Sequence, residues 1–160
     1  MDFISQNNHI KGWRNKLIIL TFFIIIAYYI SYIDSKKGII PDKVMFPAFA
    51  LLLTLKWVEG SLGYNDLIAV TVVLFVFFIP IALNMAFGGG DLRFGAFCAL
   101  FLGLKGIGWF IALAGIIHLI ILSLLKKKSF GFAPAMSTAA ILSYFREPLK
   151  TPFRTSNFLF

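Results

Sequence analysis

The chain has 160 residues, of which 59% are hydrophobic and only 14% charged, and it carries a formal net charge of +8. Soluble domains hold about a quarter charged residues and under half apolar ones, so this composition excludes an ordinary soluble domain. A mean hydropathy of +0.88 points instead to one membrane-embedded domain.

Residues 1–16 are polar and basic, with Lys11, Arg14 and Lys16 around Trp13, and read as a surface segment with at most a turn of helix. Leu17–Ile33 is an unbroken apolar run that at 1.5 Å per residue just crosses a hydrocarbon core. It is too long for a secretory leader and no small-residue cleavage site follows it, so no cleavable signal peptide is expected. The stretch 34–42, DSKKGIIPD, is a loop marked by Gly38 and Pro41. Val44–Val58 is a second, shorter span, with Lys56 snorkelling at its far end. Gly60, Gly63 and Asn65 mark the next loop, in which Glu59 and Asp66 read as solvated charges. Leu67–Phe87 is the clearest span. A glycine loop follows, then Phe94–Leu104, which is too short to cross alone unless tilted. Lys105-Gly106 separates it from a fifth span, Ile107–Leu125. The basic loop 126–134 leads to a weak sixth span near 135–145, and a polar, aromatic tail occupies 146–160. The expected architecture is therefore all-α: a polytopic bundle of about six transmembrane helices over residues 17–145.

Two further spans separate Asp34, at the end of the first, from Asp91, so both carboxylates emerge on one membrane face. The internal loops of that face hold Lys36, Lys37, Lys43, Arg93 and Lys126–Lys128, whereas the opposite loops hold Lys56 and Lys105. The positive-inside rule then sets the carboxylates at the cytoplasmic side. The two tails, each with basic residues, argue for the opposite orientation. The same distribution makes the positive charge an anchor to lipid headgroups and not a nucleic-acid interface.

One cysteine, Cys98, excludes an internal disulfide and a multi-thiolate metal site, and His9 and His118 are too few and too far apart for a metal centre. No metal and no cofactor is expected. The chemistry lies instead in the carboxylates. A carboxylate at a helix end in a bilayer costs about 2.5–3.5 kcal/mol on insertion scales. Asp91 stands just before a helix start, where N–H groups and the dipole favour its ionised form. Gly88, Gly89 and Gly90 clear side chains from its approach, leaving room for another backbone or a peptide substrate. A simple helix cap after a flexible turn explains Asp91 equally well on pattern alone; the second aspartate on the same face shifts the balance. Two carboxylates a few ångströms apart share a proton and can activate water against an amide carbonyl.

The run GGGD at 88–91 matches the G-x-G-D signature of intramembrane aspartic proteases, and with YIDSKKGIIPDKVMFP it becomes specific. Together they resemble the type IV prepilin peptidases, in which the first catalytic aspartate ends a helix about seven residues before a Pro-Asp/Asn turn. Asp34 and Pro41-Asp42 fit that spacing. DLRFGAFCALFLGLKG and FGFAPAMSTAAI are similar to the family's short helix after the second aspartate and to its last helix. The resemblance covers roughly residues 20–145. It implies a multi-pass protein of a prokaryotic cytoplasmic (inner) membrane, with Asp34 and Asp91 as the catalytic pair at its cytosolic edge. Substrates would be prepilins, pseudopilins or archaeal preflagellins, cut just before their hydrophobic helix. Asp42 reads as a turn residue. Arg93 stands where many members have Lys and keeps a charge near the pair, which Lys36 and Lys37 beside Asp34 also offer. Many bacterial members add a loop with two Cys-x-x-Cys zinc pairs and methylate the product; this chain resembles the minimal members, so methyltransferase activity is not expected.

Other readings stay open. His118 is a hydrogen-bonded interior histidine sooner than a proton relay, and Cys98 a small packing residue. A small ion-coupled transporter would place paired aspartates on an ion path at mid-membrane. A non-catalytic membrane subunit of a pilus or secretion assembly would not need the pair at all.

Overall fold

The computed structural model describes residues 2–83, 88–125 and 131–146, with side chains from Arg14 onward. Among them are five helices and no strand: α1 (Asp2–Lys37), α2 (Asp42–Glu59), α3 (Tyr64–Ala82), α4 (Gly89–Leu125) and α5 (Ala133–Arg146). The expected lysine triplet Lys126–Lys128, the end of the third span at 84–87 and the tail from 147 lie outside the described residues.

The helices follow from their apolar spacing. On α1 the inward face runs Ile19, Phe23, Ala27, Ile30, all buried, a three-to-four residue spacing that makes one stripe on a helix. The stripe continues into Asp34. On α2 it runs Met45, Ala48, Leu52 and ends at Lys56; on α3 it begins at Asp66 and runs Ala69, Val73, Phe77. Charged residues therefore occupy inward positions at the ends of three stripes. The polar 2–16 segment is not separate: it forms the first turns of α1.

The first part of α4 is buried on every side, from Phe94 to Phe101, because it runs through the centre of the bundle. Phe23, Phe94, Phe97 and Phe101 stack around it, with Phe23 and Phe101 centroids 3.9 Å apart. Gly95 meets the Phe77 ring, where a Cβ would come within 2.4 Å. The break in this helix falls at Gly103 and not at Lys105-Gly106. Gly103 adopts φ 67°, ψ −178°, a backbone conformation open to glycine and strained for other residues. In a straight helix Asp91 and His118 would stand about 40 Å apart at 1.5 Å per residue. Asp91 instead lines one cleft with Asp34, while His118 packs on Phe132, next to the Ala133 N–H that binds Asp34, so the chain turns back at Gly103 and α4 is an out-and-back pair of segments. α5 is rich in small residues, with Ala133, Ala135, Ser137, Ala139 and Ala140 buried. They let it lie close against α1, where Ser31 Oγ and Ser137 Oγ meet at 2.7 Å.

Three helices are long and apolar enough to cross a membrane by length and composition: Arg14–Lys37 of α1, Tyr64–Ala82 and Gly89–Leu125. The chain is a membrane protein. Of the about six spans expected, α2 falls outside this set because it carries Asp42, Lys43, Lys56 and Glu59, and α5 because it has 14 residues.

The far ends of α2 and α3 correct the reading of their charges. Lys56 does not snorkel and Asp66 is not solvated: they are 7% and 5% exposed and pair at 2.7 Å. Lys56 Nζ also donates to the Leu100 carbonyl at 2.8 Å, so one ammonium ties α2, α3 and α4. Burial forces this pairing, because an isolated charge in that position would be far costlier than a paired one.

Candidate active site

At the opposite end of the bundle the inward stripe of α1 delivers Asp34, 4% exposed. Its Oδ2 accepts the Ala133 backbone N–H at 2.9 Å, and its carbonyl accepts Gly38 N–H at 2.8 Å, closing α1. Gly131 lies hard against it: a Cβ there would fall 2.1 Å from Asp34 Oδ2 and 2.9 Å from its carbonyl oxygen. The carboxylate is thus held by the start of α5, a helix ninety-nine residues away in sequence.

Asp91 stands inside the first turn of α4, which begins at Gly89, and not just ahead of it. Its Oδ2 accepts Gly88 N–H at 3.1 Å, while its own N–H donates to the Gly88 carbonyl at 3.1 Å. Asp66 makes the same turn with Gly63, at 2.9 and 3.0 Å. Both aspartates therefore secure a glycine-led helix start. Their surroundings separate them: Asp66 faces Lys56, whereas Asp91 lines a cleft.

That cleft, about 220 Å³, is lined by Asp34, Gly38, Ile39, Ile40, Asp42, Gly88, Gly90, Asp91 and Arg93. The two sequence-predicted carboxylates thus share one concavity, reached from α1 and α4. In each, Oδ2 is fixed by a backbone N–H. For Oδ1 of either residue there is no hydrogen bond among the described residues. Such a site can hold a water between an acid and a base.

The three glycines differ in what they do. Gly90 takes the α1–α2 connector: a Cβ on it would lie 3.0 Å from the Ile40 Cβ and 3.6 Å from the Ile40 N. A Cβ on Gly88 would make an ordinary 3.4 Å contact with Asp91 Oδ2, and one on Gly89 would meet nothing. Of the charged residues near the pair, Arg93 and Lys36 are engaged elsewhere. Arg93 forms an ion pair with Asp42 and lies 5.8 Å from the Phe46 ring centre. Lys36 Nζ meets Tyr32 Oη at 2.6 Å, and Lys37 is exposed. Neither lysine is hydrogen-bonded to Asp34.

Two groups escaped the sequence reading, Gly131 and the Ala133 N–H, which grip Asp34; His118, expected to be a hydrogen-bonded interior histidine, instead has an Nδ1 with no partner among the described residues. Gly131 and Ala133 carried one signal, the small-residue opening of the last helix. Among the described residues no three His, Cys, Asp or Glu side chains converge as a metal site would require.

The sequence profile of the type IV leader peptidase family matches residues 21–133, a stretch that contains Asp34, Asp91, His118 and Gly131. No curated protein and no solved structure matches the chain.

Proposed function

This chain belongs to the type IV leader peptidase family, and on that premise we propose that it is an intramembrane aspartic endopeptidase. It removes the short basic leader from prepilin-like or pseudopilin precursors. Family membership makes it a peptidase; Asp34 and Asp91 are the residues we assign to the chemistry. One observation carries the assignment: two carboxylates from distant helices line one cleft, each with Oδ2 held by a backbone N–H.

The ionised member of the pair takes a proton from a water held between the two Oδ1 atoms. The oxygen of that water attacks the amide carbonyl carbon as the protonated carboxyl gives its proton to the carbonyl oxygen. Collapse of the tetrahedral intermediate breaks the C–N bond: the proton taken from water passes to the leaving amine, and a hydroxyl proton of the intermediate returns to the other carboxylate, so the pair again shares one proton. Gly88 and Gly89, without side chains beside Asp91, leave room for the substrate backbone. No metal or cofactor takes part in this scheme.

The same reading sets the protein in a prokaryotic cytoplasmic (inner) membrane, its cleft toward the cytoplasm. With α4 counted as two segments, six helical segments embed in the bilayer. Lys36, Lys37, Lys43 and Arg93 are exposed at the cleft end. At the far end Lys56 is neutralised by Asp66, which sharpens the charge bias between the two sets of internal loops.

Cleavage of a prepilin-like substrate in membranes tests the proposal, with Asp34→Asn and Asp91→Asn alongside and insertion of each checked. Each substitution is expected to lower cleavage at least about 100-fold with normal insertion. Full activity in either variant removes that residue from the mechanism. Failure of every version on several precursors favours the transporter or assembly-subunit reading.

A further inference from the structure

The connector between α1 and α2, residues 38–41, contributes Gly38, Ile39 and Ile40 to the lining of the cleft. It is held at nearly every residue. Gly38 turns the chain at φ 62°, and its N–H donates to the Asp34 carbonyl at 2.8 Å. Ile40 is 7% exposed and sits on Gly90, one residue before Asp91. Pro41 opens α2, its carbonyl accepting the Val44 and Met45 N–H groups, each at 3.1 Å. Just beyond, Asp42 pairs with Arg93 of α4.

Ile39 is the exception. It stands between these fixed points, yet it is 65% exposed and outside the packed core. Exposed apolar residues such as Ile25, Phe75 and Phe78 lie on membrane-spanning helices, where lipid covers them. Ile39 lies past the end of α1, after Lys36 and Lys37. Because both its neighbours are held, its side chain is presented from a fixed backbone, as a binding surface requires.

The other residues of that lining are three carboxylates, one guanidinium, three glycines and Ile40. Charges and glycines suit a peptide backbone or a polar group, and Ile40 is already packed on Gly90. Among the described residues, Ile39 is therefore the apolar side chain that the cleft offers to a ligand. It follows Asp34 by five residues and precedes the residue that touches Gly90, so it is tied to both segments that carry the carboxylates.

We propose that Ile39 is a specificity-determining residue: it receives the apolar side chain of the substrate residue that directly follows the scissile bond. The proposal rests on the peptidase reading above and deepens it. On that reading the polar leader stays outside the bilayer and the retained segment enters it, so the apolar contact falls on the retained side of the bond. A polar side chain there would lose water against Ile39 and gain no hydrogen bond in return. Ile39 takes no part in the proton transfers and acts on binding.

Two synthetic precursors test this, each a short basic leader joined to an apolar helix, with leucine or serine as the first residue after the bond. Wild type is expected to favour the leucine precursor in kcat/KM. Ile39→Ala should shrink that preference about tenfold, through a higher KM for the leucine precursor and with kcat little changed, and Ile39→Leu should keep it. An equal loss on both precursors, or an unchanged preference in Ile39→Ala, overturns the proposal and leaves Ile39 a structural or lipid contact. Binding is read separately, with p-benzoylphenylalanine in place of Ile39 in the Asp91→Asn protein, irradiated in membranes with the leucine precursor. A cross-link to the first residues after the bond is expected; cross-links to lipid alone overturn the proposal. If the precursor cross-links there while wild type cuts neither precursor, the apolar contact stands and the peptidase reading falls.

Discussion

Lys56→Met is the sharpest test of the bundle's far end. The substitution keeps the stem of the side chain and removes the ammonium that donates to Asp66 Oδ1 at 2.7 Å and to the Leu100 carbonyl at 2.8 Å. Two acceptors are then left in a region where Lys56 and Asp66 are 7% and 5% exposed. Removing one partner of a buried pair costs about 3–5 kcal/mol. Asp66 keeps its bond from Gly63 N–H, which holds the expected loss near the lower end, about 3 kcal/mol. Asp66→Asn keeps the Gly63 bond through its amide oxygen but strands the lysine cation, and should cost at least as much. The double variant Lys56→Met/Asp66→Asn removes both charges, so its loss should fall short of the sum of the singles by roughly 2 kcal/mol. Reversible unfolding of the micelle-bound protein, followed by circular dichroism, measures all three. A Lys56→Met loss within about 0.5 kcal/mol would show an ammonium that reaches solvent, and the pairing argument would fail.

Two further substitutions probe the cleft. Gly131→Ala sets a methyl 2.1 Å from Asp34 Oδ2, so α5 must shift and release the Ala133 N–H bond; cleavage should fall at least tenfold, about 1.4 kcal/mol. Gly88→Ala, with its 3.4 Å contact, should be far milder, and equal effects of the two in one cleavage assay would refute the crowding argument. Arg93 and Asp42 are about half exposed, so Arg93→Ala should change stability by no more than about 1 kcal/mol. If their pairing serves to hold the α1–α2 connector on α4, the exchanged pair Arg93→Asp/Asp42→Arg should recover most of the cleavage that either single reversal loses. No recovery would mean that the position of each charge matters and not their attraction.

Several features of this protein were written in local pattern. Apolar runs located the helices, because each needs one buried stripe and lipid accepts the rest. Counting spans brought Asp34 and Asp91 to one face, and the structure has them lining one cleft. The glycine run before Asp91 foretold close backbone approach, which Ile40 makes on Gly90. The stripe spacing even held a signal that the loop-based reading passed over: Lys56 and Asp66 fall in register with the buried residues of their helices. A charge in register must be paired or costly, so both belonged inside.

The rest depended on contacts between segments far apart in the chain. The break between the fourth and fifth spans was expected at Lys105-Gly106; the positive φ of Gly103 and its place beside Asp66 Oδ1 set it at Gly103 instead. Gly131 and the Ala133 N–H reach Asp34 only because α5 packs on α1, and His118 meets Phe132 only because α4 returns. The sequence by itself determined which residues face inward and at which end the two carboxylates emerge, since periodicity and parity are local or countable. Which partners those inward groups meet was left to the tertiary structure, because a hydrogen bond between residues ninety-nine positions apart leaves no periodic trace in either segment.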